Sequence, residues 1–312
     1  MDRIETRAAY LRPNQRSSAL AWICAACFIT SLQDVTIKWM SGSYPFHEMQ
    51  TIRCGVALLC IGVAVWLRGG FSSLHMPDLK LALLRGLLLS VASALFYVAA
   101  AAMPYPEAVA MYFTMPLLVV PLATIFLKER IPLFRWLAVM AGFVGVLFIL
   151  RPGTALFQPV AIVALVSALF YAFGNILTRP LSGSSKAIPL AFWQTAMYLA
   201  VALVLSLIFG SGDFRMTDHV SLDYLTRGWT LPTVPDFLLI SGLGTTTGLL
   251  MVMYTHAYRL ADSSFVAPFE FSAMIWAITF SFVIWHQLPE FAAVLGIALI
   301  MGAGIFLAMK DR

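Results

Sequence analysis

Ten stretches of about 20 apolar residues, set apart by short polar breaks, run through this chain: 18–40, 47–67, 80–103, 106–127, 132–150, 156–178, 188–210, 235–258, 263–285 and 288–309. Crossing the hydrocarbon core takes roughly 20 residues of helix. Lipid offers no hydrogen-bond partners, so each crossing segment must satisfy its own backbone as a helix. Ser41-Gly42-Ser43, Gly69-Gly70, Pro104-Tyr105-Pro106, Arg151-Pro152-Gly153, Ser182-Gly183 and Gly210-Ser211-Gly212 mark the breaks. The chain is 61% hydrophobic and 11% charged, where a soluble domain carries about 25% charged residues. The expected fold is an all-α integral membrane protein of ten transmembrane helices.

Lys and Arg concentrate on the cytoplasmic side of membrane proteins. With the N-terminus inside, fourteen of the 20 Lys and Arg fall in inner segments, four fall in outer ones, and Arg53 and Arg85 lie within spans. Both termini are therefore expected in the cytoplasm, with 1–17 as a polar tail. No basic face interleaved with aromatics points to nucleic acid, and no Gly-x-x-x-x-Gly-Lys-Ser/Thr loop points to nucleotide hydrolysis. Cys24, Cys27, Cys54 and Cys60 sit in apolar runs as packing residues, and no metal or other cofactor is expected. The expected partners are a small-molecule solute and membrane lipid, the chain acting as a monomer or homodimer.

The two halves resemble each other. Asp34 aligns with Asn175, Lys38 with Arg179, Gln50-Thr51 with Gln194-Thr195, Gly86 with Gly242 and Gly145 with Gly302. Each unit, 18–150 and 156–309, holds five spans. An odd number brings the second unit into the membrane from the opposite side, so the repeats are expected to be inverted and to enclose a solute site near mid-depth.

Several residues then resemble the EamA-repeat type of the drug/metabolite transporter superfamily, over about 18–309. They are Arg53, Pro116 and Leu127-Lys128-Glu129 in the first half. In the second they are Ala267-Pro268-Phe269-Glu270-Phe271, Ile275-Trp276-Ala277, Leu288-Pro289 and Gly296 leading to Gly302. The later stretch is similar to the subgroup of riboflavin and S-adenosylmethionine carriers. The family's Gly-Glu before the last span is His286-Gln287 here, read as a structural difference. The resemblance implies a basket of ten helices in which helices one, three, four, six, eight and nine line a cavity and helices five and ten stand at the rim.

A charge at mid-bilayer costs at least about 2.5 kcal/mol, so it needs a reason. From the rise of about 1.5 Å per residue, Asp34 and Arg53 come at similar depths, as do Arg85 and Glu270. Two charge pairs are expected, Asp34–Arg53 with Lys38 competing for Asp34, and Arg85–Glu270. They either gate the cavity or bridge it statically. Tyr97, Tyr112, Tyr171, Asn175, Gln194, Tyr254 and Trp276 add polar or aromatic groups expected to bind solute with Asp34 and Glu270, each with a packing role as its alternative. Pro116 and Pro268 are hinges or fixed kinks. The expected function is inner-membrane secondary transport, by alternating access, of a small metabolite such as an amino acid, S-adenosylmethionine or a vitamin-like solute. A lipid-modifying enzyme needs clustered catalytic groups and a channel needs a filter; both are alternatives without a motif here.

Overall fold

The computed structural model describes residues 13–67, 70–126, 131–153, 159–178, 181, 187–261 and 263–310. Most of the N-terminal tail, the Leu127-Lys128-Glu129 pattern, Arg179 and the Ser182-Gly183 turn lie outside the described residues. Among the described residues, regular structure is helical throughout. The helices are α1 (Pro13–Met40), α2 (Phe46–Leu67), α3 (Leu79–Ala102), α4 (Tyr105–Tyr112), α5 (Met115–Phe126), α6 (Leu133–Leu150), α7 (Val160–Ile176), α8 (Ala187–Phe209), α9 (Val220–Thr226), α10 (Val234–Leu260), α11 (Ser263–Val266), α12 (Ser272–Trp285) and α13 (Phe291–Lys310). Nine described stretches are long and apolar enough to cross a bilayer, with α4 and α5 counted together as one. The run expected over 156–178 is helical at Val160–Ile176, 17 residues, at the lower limit of about 17 for a span.

Two expected spans are interrupted. The fourth breaks at Phe113 and Thr114, between α4 and α5, and the ninth enters α12 through a 3₁₀ turn at Ala267–Phe271. Pro116 follows the first break and Pro268 sits in the second. Proline supplies no N–H and its ring crowds the carbonyl four residues back, which for Pro116 is that of Tyr112, the last residue of α4. α6 stops at Arg151 and α12 at His286, both left-handed, with φ 50° and 53°. Glycine takes that conformation at least cost, so His286 occupies a backbone position suited to the family's Gly. The carboxylate at this end is Glu290, 2.5 Å from Arg151 Nη1.

α3 packs on α7 and α8, α1 on α10 and α12, α2 on α8 and α10, α7 on α4 and α5, and α6 on α13. One buried cluster joins both halves through Phe46, Phe96, Tyr97, Tyr105, Met111, Ile149, Met274 and Ile300. Leu59, Ile125, Met140, Leu207 and Ile275 face outwards, as a lipid-exposed surface requires.

The segment between α8 and α10 folds over the end where α1 finishes and α2 starts. Tyr224 of α9 is buried against Phe46. Ser221 Oγ donates to the Val98 carbonyl at 2.8 Å. His47 Nε2 donates to the Arg227 carbonyl at 3.1 Å, and its Nδ1 accepts from Trp229 Nε1 at 3.0 Å. Asp223 takes Arg227 and Arg215, and Arg227 Nη1 reaches the Gly42 carbonyl at 2.7 Å. The hydrogen bonds from Arg227, then Arg215, hold the Asp223 carboxyl below its ordinary value. Its contribution to stability is therefore complete above the unfolded value of about 3.9 and is lost as pH falls through the lower folded value. Asp223→Asn is expected to raise amide exchange over 215–230 about five-fold at pH 7, as exposed ion pairs contribute up to about 1 kcal/mol. At pH 3 the parent's exchange in this segment is expected to approach the variant's.

Candidate functional site

A cavity of about 510 Å³ lies between the halves, lined by every spanning segment except α6 and α13. That volume is within the range of about 300–1,000 Å³ usual for small-molecule sites. Beyond the helices the resemblance implied, α2 contributes Arg53 and α8 contributes Gln194 and Tyr198. Asp34, Tyr97, Tyr112, Tyr171, Tyr254 and Glu270 also face the space.

The charges are organised differently from the expected pairs. Tyr97 Oη donates to Asp34 Oδ1 at 2.7 Å and accepts from Arg53 Nη1 at 3.2 Å. Asp34 and Arg53 are thus joined through a phenol rather than directly, and the guanidinium also stands 5.6 Å over the Tyr97 ring. Lys38 does not compete for Asp34. Its ammonium donates to the carbonyls of Ala100 and Met103 at the end of α3, and lies 5.4 Å over the Trp285 ring. Arg85 and Glu270 do not meet either. Arg85 donates to Thr178 Oγ1 at 2.6 Å and to Gln194 Oε1 at 2.7 Å, because α3 packs on α7 and α8. Glu270 Oε1 accepts from Tyr258 Oη at 2.5 Å. Its main chain sits against α1, where the Cys27 thiol lies 3.6 Å from the Glu270 carbonyl.

The walls between the two carboxylates are aromatic. Tyr112 lies 5.1 Å from Tyr171 and 5.2 Å from Phe96, all tilted or edge-on. Tyr254 Oη is 3.4 Å from Thr30 Oγ1, and Phe113, at the break in span four, packs 4.9 Å from Phe271. Asn175 and Trp276 stand outside the lining: Asn175 Nδ2 meets Met115 Sδ at 3.3 Å, and Trp276 packs edge-on to Phe28 at 4.8 Å. Pro116 and Pro268 shape the backbone rather than the wall. Tyr198 and Tyr258, absent from the expected set, follow Gln194 and Tyr254 by four residues, and that helical spacing places each pair on one face. Tyr105, read as a break signal, is also a wall residue, with its hydroxyl 3.5 Å from the Ser31 carbonyl.

A chamber with two carboxylates, one guanidinium and six phenols can hold a flat ring by stacking and a cationic group by charge. Residues 17–151 match the EamA-like transporter family. An S-adenosylmethionine uptake transporter of Rickettsia bellii is 22% identical, the match covering 95% of each chain. A riboflavin transporter of Rhizobium johnstonii is 24% identical over 96% of this chain and 94% of its own. A protein crystal structure with a TM-score of 0.60 and 18% identity covers 95% of this chain and all of that one, which shows a common fold. Residues 17–151 thus carry an EamA-like transporter domain, and the likeness of the whole chain to named transporters points to a multi-pass membrane transporter rather than an enzyme.

Proposed function

We propose that this transporter is a secondary carrier of the bacterial inner membrane, with both termini cytoplasmic. It moves a planar, nitrogen-rich metabolite, in the class of S-adenosylmethionine or a vitamin such as riboflavin, through the central cavity. The observation that carries this reading is the chamber itself: carboxylates and tyrosines enclosed between two sets of helices. The names of the two relatives support the solute class. An amino acid, included in the sequence-based expectation, has no such support and is not carried forward.

Alternating access follows from two inverted five-helix units, 18–150 and 156–309. Exchanging α1 with α7, α2 with α8, α3 with α10, α4–α5 with α11–α12, and α6 with α13 supports this reading, because it carries the most extensive helix pairings into one another, whereas the contact of α13 with α4 and α5 has no such counterpart. The contact of α3 with α7 becomes that of α10 with α1, and α2 with α10 becomes α8 with α3. The glycine contacts follow the same exchange with altered partners. A Cβ on Gly86 would meet Met197, and one on Gly244 would meet the Arg53 carbonyl, so Gly244 rather than Gly242 is the counterpart of Gly86. Gly145 likewise corresponds to Gly296, whose carbonyl it approaches, rather than to Gly302. Interrupted spans beside a mid-depth site are a recurrent design of carriers built this way.

The test is counterflow of labelled S-adenosylmethionine and of riboflavin in proteoliposomes. Accumulation of either by the parent protein supports the solute class. Glu270→Gln is expected to reduce uptake of the cationic solute about ten-fold, because it removes a charge near the sulfonium or amine. Uptake unchanged by Glu270→Gln removes the carboxylate from solute binding. Absence of counterflow with both solutes rejects the class.

A further inference from the structure

We propose that α6 and α13 form a binding site for one acyl chain of an anionic phospholipid whose phosphate is held by Lys310. A groove of about 400 Å³ opens on the outer face of this helix pair. Its walls are apolar, with Phe134, Leu137 and Ala141 from α6 and Ala298, Gly302 and Phe306 from α13.

The two backbones touch at Gly145 and Gly296, where a Cβ on either would lie within 2.7 Å of the other's carbonyl oxygen. From that crossing the groove extends towards the end of the pair where α6 begins and α13 stops. Ala298 to Phe306 covers roughly 12 Å at about 1.5 Å per residue, and Lys310 comes about 6 Å further on. One leaflet of hydrocarbon is about 15 Å deep, half of a core of about 30 Å. The groove therefore has the length of a single acyl chain within one leaflet, and Lys310 stands at headgroup level.

Lys310 is aimed at that position. Its ammonium lies 4.6 Å over the Phe134 ring and 5.1 Å over the Phe306 ring, the lining residues nearest this end of the pair. Those rings hold the cation at that end, where a phosphate above a seated chain would meet it. A neutral zwitterionic lipid fills the same groove but gains less from the lysine, so the site discriminates by headgroup charge. A second copy of this chain, laid against the small residues of the groove, is the competing occupant.

The experiment is native mass spectrometry of delipidated full-length protein titrated with dipalmitoyl phosphatidylglycerol or dipalmitoyl phosphatidylcholine. The parent protein is expected to prefer phosphatidylglycerol about five-fold. Lys310→Glu is expected to abolish that preference while phosphatidylcholine binding persists. Gly302→Leu places its side chain in the groove, where a Cβ has no atom within 4 Å, and is expected to lose both lipids while the protein stays folded. Equal binding of the two lipids by the parent overturns the proposal. So does Gly302→Leu that turns a dimer into a monomer with lipid binding intact, because the groove then belongs to a second copy.

Discussion

Tyr97→Phe is expected to slow solute uptake about 100-fold in proteoliposomes at unchanged expression. The substitution keeps the ring, so it opens no void beside Phe46 and Phe96, which pack at 6.2 Å and 5.2 Å between ring centres. It removes only the hydroxyl that accepts from Arg53 and donates to Asp34. An acid and a base in an apolar surround then each lose a partner. Leaving a buried polar group unsatisfied costs about 1–3 kcal/mol, and more for a charge. Two such losses on α1 and α2 at one site make about 3 kcal/mol a modest expectation, and each 1.4 kcal/mol is tenfold in a population or a rate. Initial uptake rates check this, with binding by thermal shift run alongside to separate lost affinity from lost conformational exchange. A rate within two-fold of the parent's means that the phenol bridge is not used in the transport cycle.

The bridge also marks the boundary of what the sequence makes legible. Asp34, Arg53, Tyr97 and Glu270 stand out because a polar residue in an apolar run is expensive and so has a reason to be there. Eight of the thirteen residues singled out from the sequence line one cavity: Asp34, Arg53, Tyr97, Tyr112, Tyr171, Gln194, Tyr254 and Glu270. Partners are less accessible, because residue counting gives depth along a helix axis and not the neighbour a side chain turns towards. Lys38 is one turn from Asp34, yet a lysine is long enough to reach the unsatisfied carbonyls at the end of α3. Arg85 and Glu270 have similar estimated depths but belong to segments with different neighbours, α7 and α8 for one and α1 and α13 for the other. The interrupted spans were legible through Pro116 and Pro268, whereas the break at Phe113–Thr114 falls ahead of the proline, where the missing N–H and crowded ring act. The apolar runs are the most legible feature, since length and hydrophobicity alone decide what can lie in a bilayer; among the described residues nine of the ten are helices of spanning length and the run over 156–178 is a shorter one.

Helix registry is a different matter, and the two glycines of the α6–α13 pair show it. Gly145→Leu is expected to destabilise the protein by about 3 kcal/mol, the upper part of the range for overpacking, measured as loss of folded protein in a thermal melt of the detergent-solubilised transporter. A Cβ at 145 would lie 2.7 Å from the Gly296 carbonyl oxygen, 2.9 Å from Ile300 and 3.0 Å from Leu299. The nearest obstacle is backbone, so no rotamer change relieves it; the helices must separate, and Arg151 then loses its reach to Glu290 beyond the crossing. Intrinsic propensity acts the other way, since Leu is favoured over Gly in a helix by up to about 1 kcal/mol. Gly302→Leu isolates that term: it makes the same exchange on α13, where a Cβ meets nothing within 4 Å, so it is expected to leave stability unchanged or slightly raised. Gly296→Leu reproduces the clash from the partner helix, meeting the Gly145 carbonyl at 2.6 Å. The double variant is expected to cost less than the two single ones added together, because helices already forced apart by one side chain have room for the second. Additive losses at 145 and 296, or a loss at 302 as large as at 145, mean that these glycines are tolerated for flexibility and not required by the closeness of the crossing.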